Sequence, residues 1–195
     1  MRVIAGTYRS RPLQAPKGLA TRPTSDRLRE TLFNVIAMRV PGASFADLYA
    51  GSGAVGIEAI SRGASEVHFA EKSTAAVAAI RGNLRTLGVP GGFSIELAGV
   101  APLLKRLAGK PLDLIFLDPP YEDAEEYRKT LTLLGDASQE LVNEDSLVIA
   151  EHTRKQPLLD RYGSLVRTRT LLQGDAALSF YKLAVDEPEL PTLVE

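Results

Sequence analysis

The 195-residue chain contains no cysteine. That absence excludes a disulfide framework, a thiolate metal site and a cysteine nucleophile. It also excludes the covalent route of cysteine-dependent pyrimidine C5 methylation. Histidine is nearly as scarce: His68 and His152 are the only two, too few for a multi-histidine centre, and no metal is expected. His68 reads as a strand residue, and His152, near a strand end, is at most a candidate for a cleft rim. No apolar run is long enough to span a bilayer, and Met1-Arg2-Val3-Ile4-Ala5-Gly6 lacks the apolar core of a signal peptide. A cytoplasmic location is expected. With 45% hydrophobic and 24% charged residues, the composition is that of an ordinary soluble protein. The length suits one full domain with a small appendage, and nothing demands more than a monomer.

A net charge of −1 conceals an asymmetry. Residues 1–30 hold seven basic side chains against Asp26 and Glu30, a net of +5, while the other 165 residues hold 16 basic and 22 acidic ones, a net of −6. A basic end on an acidic domain is an electrostatic footprint for a polyanion. Arg9, Arg11, Arg22, Arg27 and Arg29 are its candidate contacts.

Periodicity orders the rest. Arg2 to Ala5 and Arg9 to Ala15 read as two short strands around Gly6-Thr7-Tyr8, a small basic hairpin, and Pro16 to Pro23 as a loop. Thr24 or Ser25 caps a helix to about Met38, with Leu28, Leu32, Val35 and Ile36 on one face. Arg27 and Arg29 fall away from that stripe, toward solvent or phosphate. From Phe45 strands and helices alternate. Strands are expected at Phe45–Tyr49, Glu66–Ala70, Phe93–Leu97, Leu112–Leu117 and Ser146–Ala150. Helices are expected at about 54–62, from Ser73, at 102–107 and at 124–134. Leu165–Leu172 and Ala177–Ala184 form a closing pair around Gln173-Gly174-Asp175. This is an α/β chain with a mostly parallel seven-stranded sheet, helices on both faces and an antiparallel closing hairpin. The expected organisation is a basic extension at 1–40, a main domain at 41–185 and an acidic, disordered tail at 186–195.

Two strand ends carry chemistry. Asp47-Leu48-Tyr49-Ala50-Gly51-Ser52-Gly53-Ala54-Val55-Gly56 runs from a strand through a glycine-rich turn into a helix. Gly51, Gly53 and Gly56 fit G-x-G-x-x-G, which lets backbone approach a ligand and a helix pack closely on its strand. Asp47 suits a cationic or polar ligand group better than a pyrophosphate. Glu71, ending the next strand, is placed for ribose hydroxyls of either an NAD-like or another nucleoside cofactor. At the fourth strand end, Asp118-Pro119-Pro120-Tyr121 cannot continue a hydrogen-bond ladder. It presents a carboxylate, a carbonyl and a ring in one small volume, which suits a nucleobase with an exocyclic amine. In open α/β sheets ligands bind beyond the carboxyl ends of strands where strand order reverses, so one cleft holds both motifs if the first and fourth strands are neighbours.

These residues resemble the class I S-adenosylmethionine-dependent methyltransferases and, within them, the RsmD family of 16S ribosomal RNA guanine-N2 methyltransferases. The similarity runs from about Met1 to Ala184. Its segments are Arg2-Val3-Ile4-Ala5-Gly6 with Arg9 and Arg11, Arg22-Pro23-Thr24 through Arg29-Glu30-Thr31-Leu32-Phe33-Asn34, Asp47 to Gly53, and Asp118 to Tyr121. The second of these is family-specific; the last two are shared with many amino-group methyltransferases. The resemblance implies a Rossmann-like fold and S-adenosyl-L-methionine as cofactor. Gly51 and Gly53 would line its methionine part, Asp47 would lie near the amino end and Glu71 would hold the ribose. Where such enzymes often carry Asp or Asn after the third strand, this chain has Gly99-Val100, so the adenine contact there falls to backbone. The implied substrate is a guanine of 16S rRNA in a partly or fully assembled small subunit, with Asp118 and Pro119 accepting its N–H bonds, Pro120 stiffening the turn and Tyr121 stacking. Three other readings are compatible with parts of the pattern: an adenine-N6 methyltransferase acting on DNA or RNA, a dinucleotide-dependent oxidoreductase, and a non-catalytic RNA-binding module.

Overall fold

The computed structural model describes residues 1–16, 25–120 and 123–184. Arg22, Tyr121 and the tail at 186–195 lie outside the described residues, as does most of the loop expected before Thr24. Ser25 starts the first helix: its hydroxyl accepts the Leu28 N–H at 3.1 Å, satisfying one of the first-turn donors that no carbonyl can reach. This helix, α1, spans Asp26–Val35 and ends in a short 3-10 turn over Ala37–Arg39.

From there strands and helices alternate as β1 (Ser44–Leu48), α2 (Ala54–Ser61), β2 (Glu66–Ala70), α3 (Thr74–Leu87), β3 (Phe93–Glu96), α4 (Val100–Leu107), β4 (Leu114–Leu117) and α5 (Ala124–Leu134). The chain closes with β5 (Leu147–Thr153), β6 (Arg161–Tyr162), β7 (Leu165–Gln173) and β8 (Ala176–Leu183). The sheet order is β3-β2-β1-β4-β5-β8-β7-β6. The first five strands are parallel; β8, β7 and β6 join antiparallel. Strand order reverses between β1 and β4, where Leu48 is in register with Leu117.

The eighth strand is β6, a two-residue element too short to show alternation in sequence. The expected amino-terminal hairpin is present but short. Its arms meet at one antiparallel bridge, Arg2 to Pro12, flanked by the Val3 N–H to Arg11 carbonyl and Leu13 N–H to Met1 carbonyl bonds at 3.0 Å each, and left-handed Gly6 and Ser10 end the extended backbone.

Alternation along the strands splits the core into two faces. Phe45, Phe69, Phe116 and Ile149 face α1, α2 and α3, together with Val3 and Leu13 of the amino-terminal segment. Leu48, Ile115, Leu117 and Val148 face α4 and α5. Among the described residues no helix is long and apolar enough to cross a membrane.

Candidate active site at the switch point

The glycine turn leaves β1 at the reversal. Gly51 and Gly53 both adopt left-handed backbone, with φ of 55° and 76°, which an L side chain would strain. Space beside Gly51 is open: nothing lies within 4 Å of where a Cβ would stand. Gly56 has a different task. A Cβ there would approach the Phe69 ring to 2.3 Å, so this glycine lets α2 seat on β2.

Asp47 is buried beneath the turn, and its carboxylate accepts the Gly56 N–H at 2.8 Å, capping a donor of the first turn of α2. Burial pushes its pKa up to about 8, partly offset by that hydrogen bond. Glu71 accepts the Gly51 N–H and the Ser73 N–H, each at 2.8 Å, joining the glycine turn to the start of α3. A carboxylate has about four lone-pair sites, so Glu71 retains capacity for further donors.

Beside this edge lies a cavity of about 310 Å³, lined by Tyr49, Lys72, Ala98, Val100, Glu126 and Lys129 among others. That size falls within the range of small-molecule sites. Tyr49 holds α5 against the strand end: its hydroxyl lies 3.0 Å from Glu126 Oε2 and 2.6 Å from Thr130 Oγ1. Burial raises its pKa above the usual phenol value, so the hydroxyl stays protonated. Val100 is buried as the first residue of α4, and Gly99 before it has a φ of 93°; a Cβ there would meet Lys72 at 2.8 Å.

Asp118 and Pro119 follow Leu117 directly, so they leave the sheet alongside Tyr49 and the glycine turn. Asp118 is half-buried, Pro119 buried and Pro120 exposed. The Pro119 carbonyl lies 3.3 Å from the Tyr127 hydroxyl, which donates more closely to the Glu151 carbonyl at 2.8 Å. Thus Asp47, Gly51, Gly53, Glu71, Val100, Asp118, Pro119 and Pro120 converge on one edge, while Tyr121 lies outside the described residues.

The basic candidates divide. Arg9, Arg11 and Arg27 are exposed. Arg29 is not: it is 0% exposed, against the expectation that it faces solvent or phosphate. The amino-terminal segment covers that side of α1. The Arg29 guanidinium donates to the Arg2 carbonyl at 2.6 Å and to Asp26 at 2.9 Å, with Glu58 of α2 at 3.9 Å. Glu58, itself fully buried, accepts the Ile4 and Ala5 N–H groups at 2.7 and 3.0 Å and Arg62 Nε at 2.7 Å. His152 is likewise buried, 2.9 Å from Ser179 Oγ, and does not form a cleft rim.

Sequence reasoning missed Asn83. This buried amide on α3 accepts the Gln14 N–H at 2.8 Å and donates to the carbonyls of Gln14 and Ser52 at 3.0 and 3.1 Å. It fastens the amino-terminal segment to the glycine turn. The available signal was a polar residue at core spacing between Ile80 and Leu87, which a helix buries only with partners.

Comparison with known proteins agrees with this architecture. Residues 1–182 match the family described as conserved hypothetical protein 95. Among curated relatives, Bacillus subtilis YlbH, which carries a provisional rRNA methyltransferase name, is 35% identical over 93% of this chain and 98% of its own length. Ribosomal RNA small subunit methyltransferase D of Escherichia coli K12 is 36% identical over 70% of this chain and 67% of its own. The solved structure of yhhF from Escherichia coli, provisionally named a methyltransferase, superposes with a TM-score of 0.79 at 30% identity, covering 94% of this chain and 97% of that one. With a family match along nearly its whole length and a switch point carrying both motifs, the chain belongs to the RsmD family and has a Rossmann-like methyltransferase fold.

Proposed function

We propose that the protein transfers a methyl group to the exocyclic N2 of a guanine in 16S ribosomal RNA, with S-adenosyl-L-methionine as donor. The observation that carries this reading is the adjacency of β1 and β4, which brings the glycine turn and the Asp-Pro-Pro turn out of one sheet edge. The names of the relatives add the substrate class. Guanine N2 comes from the resemblance in the stretch from Arg22 to Asn34.

The residues present fit the cofactor. The open side of Gly51 leaves room for it, Gly53 keeps the turn tight, Glu71 can accept from ribose hydroxyls and the cavity beside Val100 and Lys72 can take an adenine. When bound, S-adenosylmethionine supplies a sulfonium-activated methyl group. Asp47 sits behind the turn, near where the amino end would lie, as a buried carboxyl that keeps its proton to about pH 8 and fixes the turn through the Gly56 N–H.

Guanine N2 is a poor nucleophile because its lone pair is delocalised into the ring. Asp118 and the Pro119 carbonyl accept its two N–H bonds, pulling the nitrogen toward sp³ character and aiming the lone pair out of the ring plane. Once the N–C bond has formed, the surplus proton of the methylated nitrogen leaves to Asp118 or to water. Pro119 and Pro120 fix the acceptor positions. Tyr121 stacks on the base, worth about 1–3 kcal/mol. The target base lies in a loop or leaves its stack, and Arg9, Arg11, Arg22 and Arg27 hold RNA backbone. The substrate is the small subunit, partly or fully assembled, and the enzyme acts as a monomer.

Replacing Asp118 with Ala tests the assignment. Methyl transfer falls by two orders of magnitude or more, while S-adenosylhomocysteine still raises the melting temperature as in wild type. Undiminished turnover contradicts the assignment.

A further inference from the structure

A second cavity, of about 360 Å³, opens between the outward face of α3 and Leu97, lined also by Thr74, Val77, Ala78, Arg81 and Arg85. The methyl-transfer site does not use it. Its mouth nevertheless adjoins that site: Thr74 follows Glu71 by three residues, and Leu97 follows Glu96, whose carbonyl accepts the Glu71 N–H at 3.0 Å. The groove lies along α3, beside the end of β3, the edge strand. Asp118 follows β4, three strands away, a lateral distance of roughly 14 Å at ordinary strand spacing.

Its charge is basic. Arg81 and Arg85 are both exposed and stand four residues apart on α3, about 6 Å along the axis. Neither has a carboxylate within ion-pair distance among the described residues, and α3 carries no acidic residue. Arg106 and Arg128 on neighbouring helices are paired with Glu96 and Glu125, whereas Arg154, Arg161 and Arg169 are, like Arg81 and Arg85, exposed and without an ion pair among the described residues. Two like charges at this spacing repel by a few tenths of a kcal/mol, which a bound polyanion would reverse. The floor is apolar, with Leu97 43% exposed, and the space beside Gly82 is open to 4 Å. Paired guanidiniums over a shallow apolar floor fit a run of phosphates with attached sugars better than one compact anion. Between them in sequence, Asn83 faces inward and holds the Gln14 backbone, so the basic amino-terminal segment is fastened to the same helix.

We propose that this groove is a second RNA contact, in which Arg81 and Arg85 bind the sugar–phosphate backbone of nucleotides flanking the target base. The inference rests on the rRNA-methylating reading and extends it to the far side of α3. The direct test compares full-length wild type, Arg81→Gln/Arg85→Gln and Arg81→Lys/Arg85→Lys on deproteinised 16S rRNA, with binding measured across a salt series. The glutamine variant lowers the slope of log K against log salt by roughly 1.4 for single-stranded and 1.8 for duplex contacts, and the lysine variant restores it. With small subunits as substrate, KM rises severalfold in the glutamine variant, while kcat at saturation and the melting shift with S-adenosylhomocysteine stay at wild-type values. An unchanged slope in the glutamine variant overturns the groove while leaving the methyltransferase reading intact. Loss of binding only on protein-containing particles overturns it too, by assigning the groove to a ribosomal protein. If wild type binds rRNA and shows the slope difference yet methylates neither that RNA nor isolated small subunits, the groove stands and the activity reading falls.

Discussion

Glu58 is the strongest single test of how the amino-terminal segment is held. Its fully buried carboxylate meets two backbone N–H groups, Arg62 at 2.7 Å and Arg29 at 3.9 Å. Glu58→Ala would leave those N–H groups without an acceptor and Arg29 with only Asp26 as counter-charge. Breaking a buried pair by removing one member costs about 3–5 kcal/mol, a large share of a typical total stability of about 5–15 kcal/mol. For a chain of this size that corresponds to a fall of roughly 6–20 °C in melting temperature. Urea denaturation measures the loss, with a lower midpoint at an unchanged m-value. The control is Glu125→Ala, which removes an exposed partner of Arg128 and should leave the midpoint where it was. A Glu58 variant that loses less than about 1 kcal/mol refutes the reasoning, because the cluster would then behave as a surface pair.

Two further substitutions probe the cofactor edge. Asn83→Ala removes the ties to Gln14 and Ser52 and should weaken S-adenosylhomocysteine roughly five- to tenfold by calorimetry, about 1–1.4 kcal/mol; unchanged affinity in a destabilised variant would reduce Asn83 to a packing role. Asp47 holds its proton in the folded protein up to about pH 8, whereas its ordinary value is 3.8, so its contribution favours the fold in acid and fades as pH rises between those values. Asp47→Asn should therefore show a flatter urea midpoint between pH 5 and 8 than wild type, and parallel profiles contradict that protonation.

Much of this fold was legible because parallel, two-sided burial writes itself into the strands. Phe45, Val67, Ile115 and Val148 sit in short apolar runs bounded by turn residues, and the repeated βα units left few topologies. The two motifs were readable for the same reason: each ends a buried strand. What failed was long-range cover. Arg29 looked polar and outward by its spacing from Leu28 and Leu32, but it shares a second stripe with Phe33 and Ile36, and residues 2–5 close over it. Helical periodicity cannot show that a distant segment lies on a face. The amino-terminal arms do pair as read, though left-handed backbone at Gly6 and Ser10 confines the pairing to one bridge and its flanking hydrogen bonds.

The central claim is that the Asp118 turn presents a guanine amine to a methyl donor held at the glycine turn. It is tested most directly by incubating the protein and isotopically labelled S-adenosylmethionine with small subunits from a strain lacking this enzyme, then identifying the labelled nucleoside by mass spectrometry. Label confined to N2-methylguanosine is the predicted result. Label in N6-methyladenosine, or none in RNA at all, would contradict it.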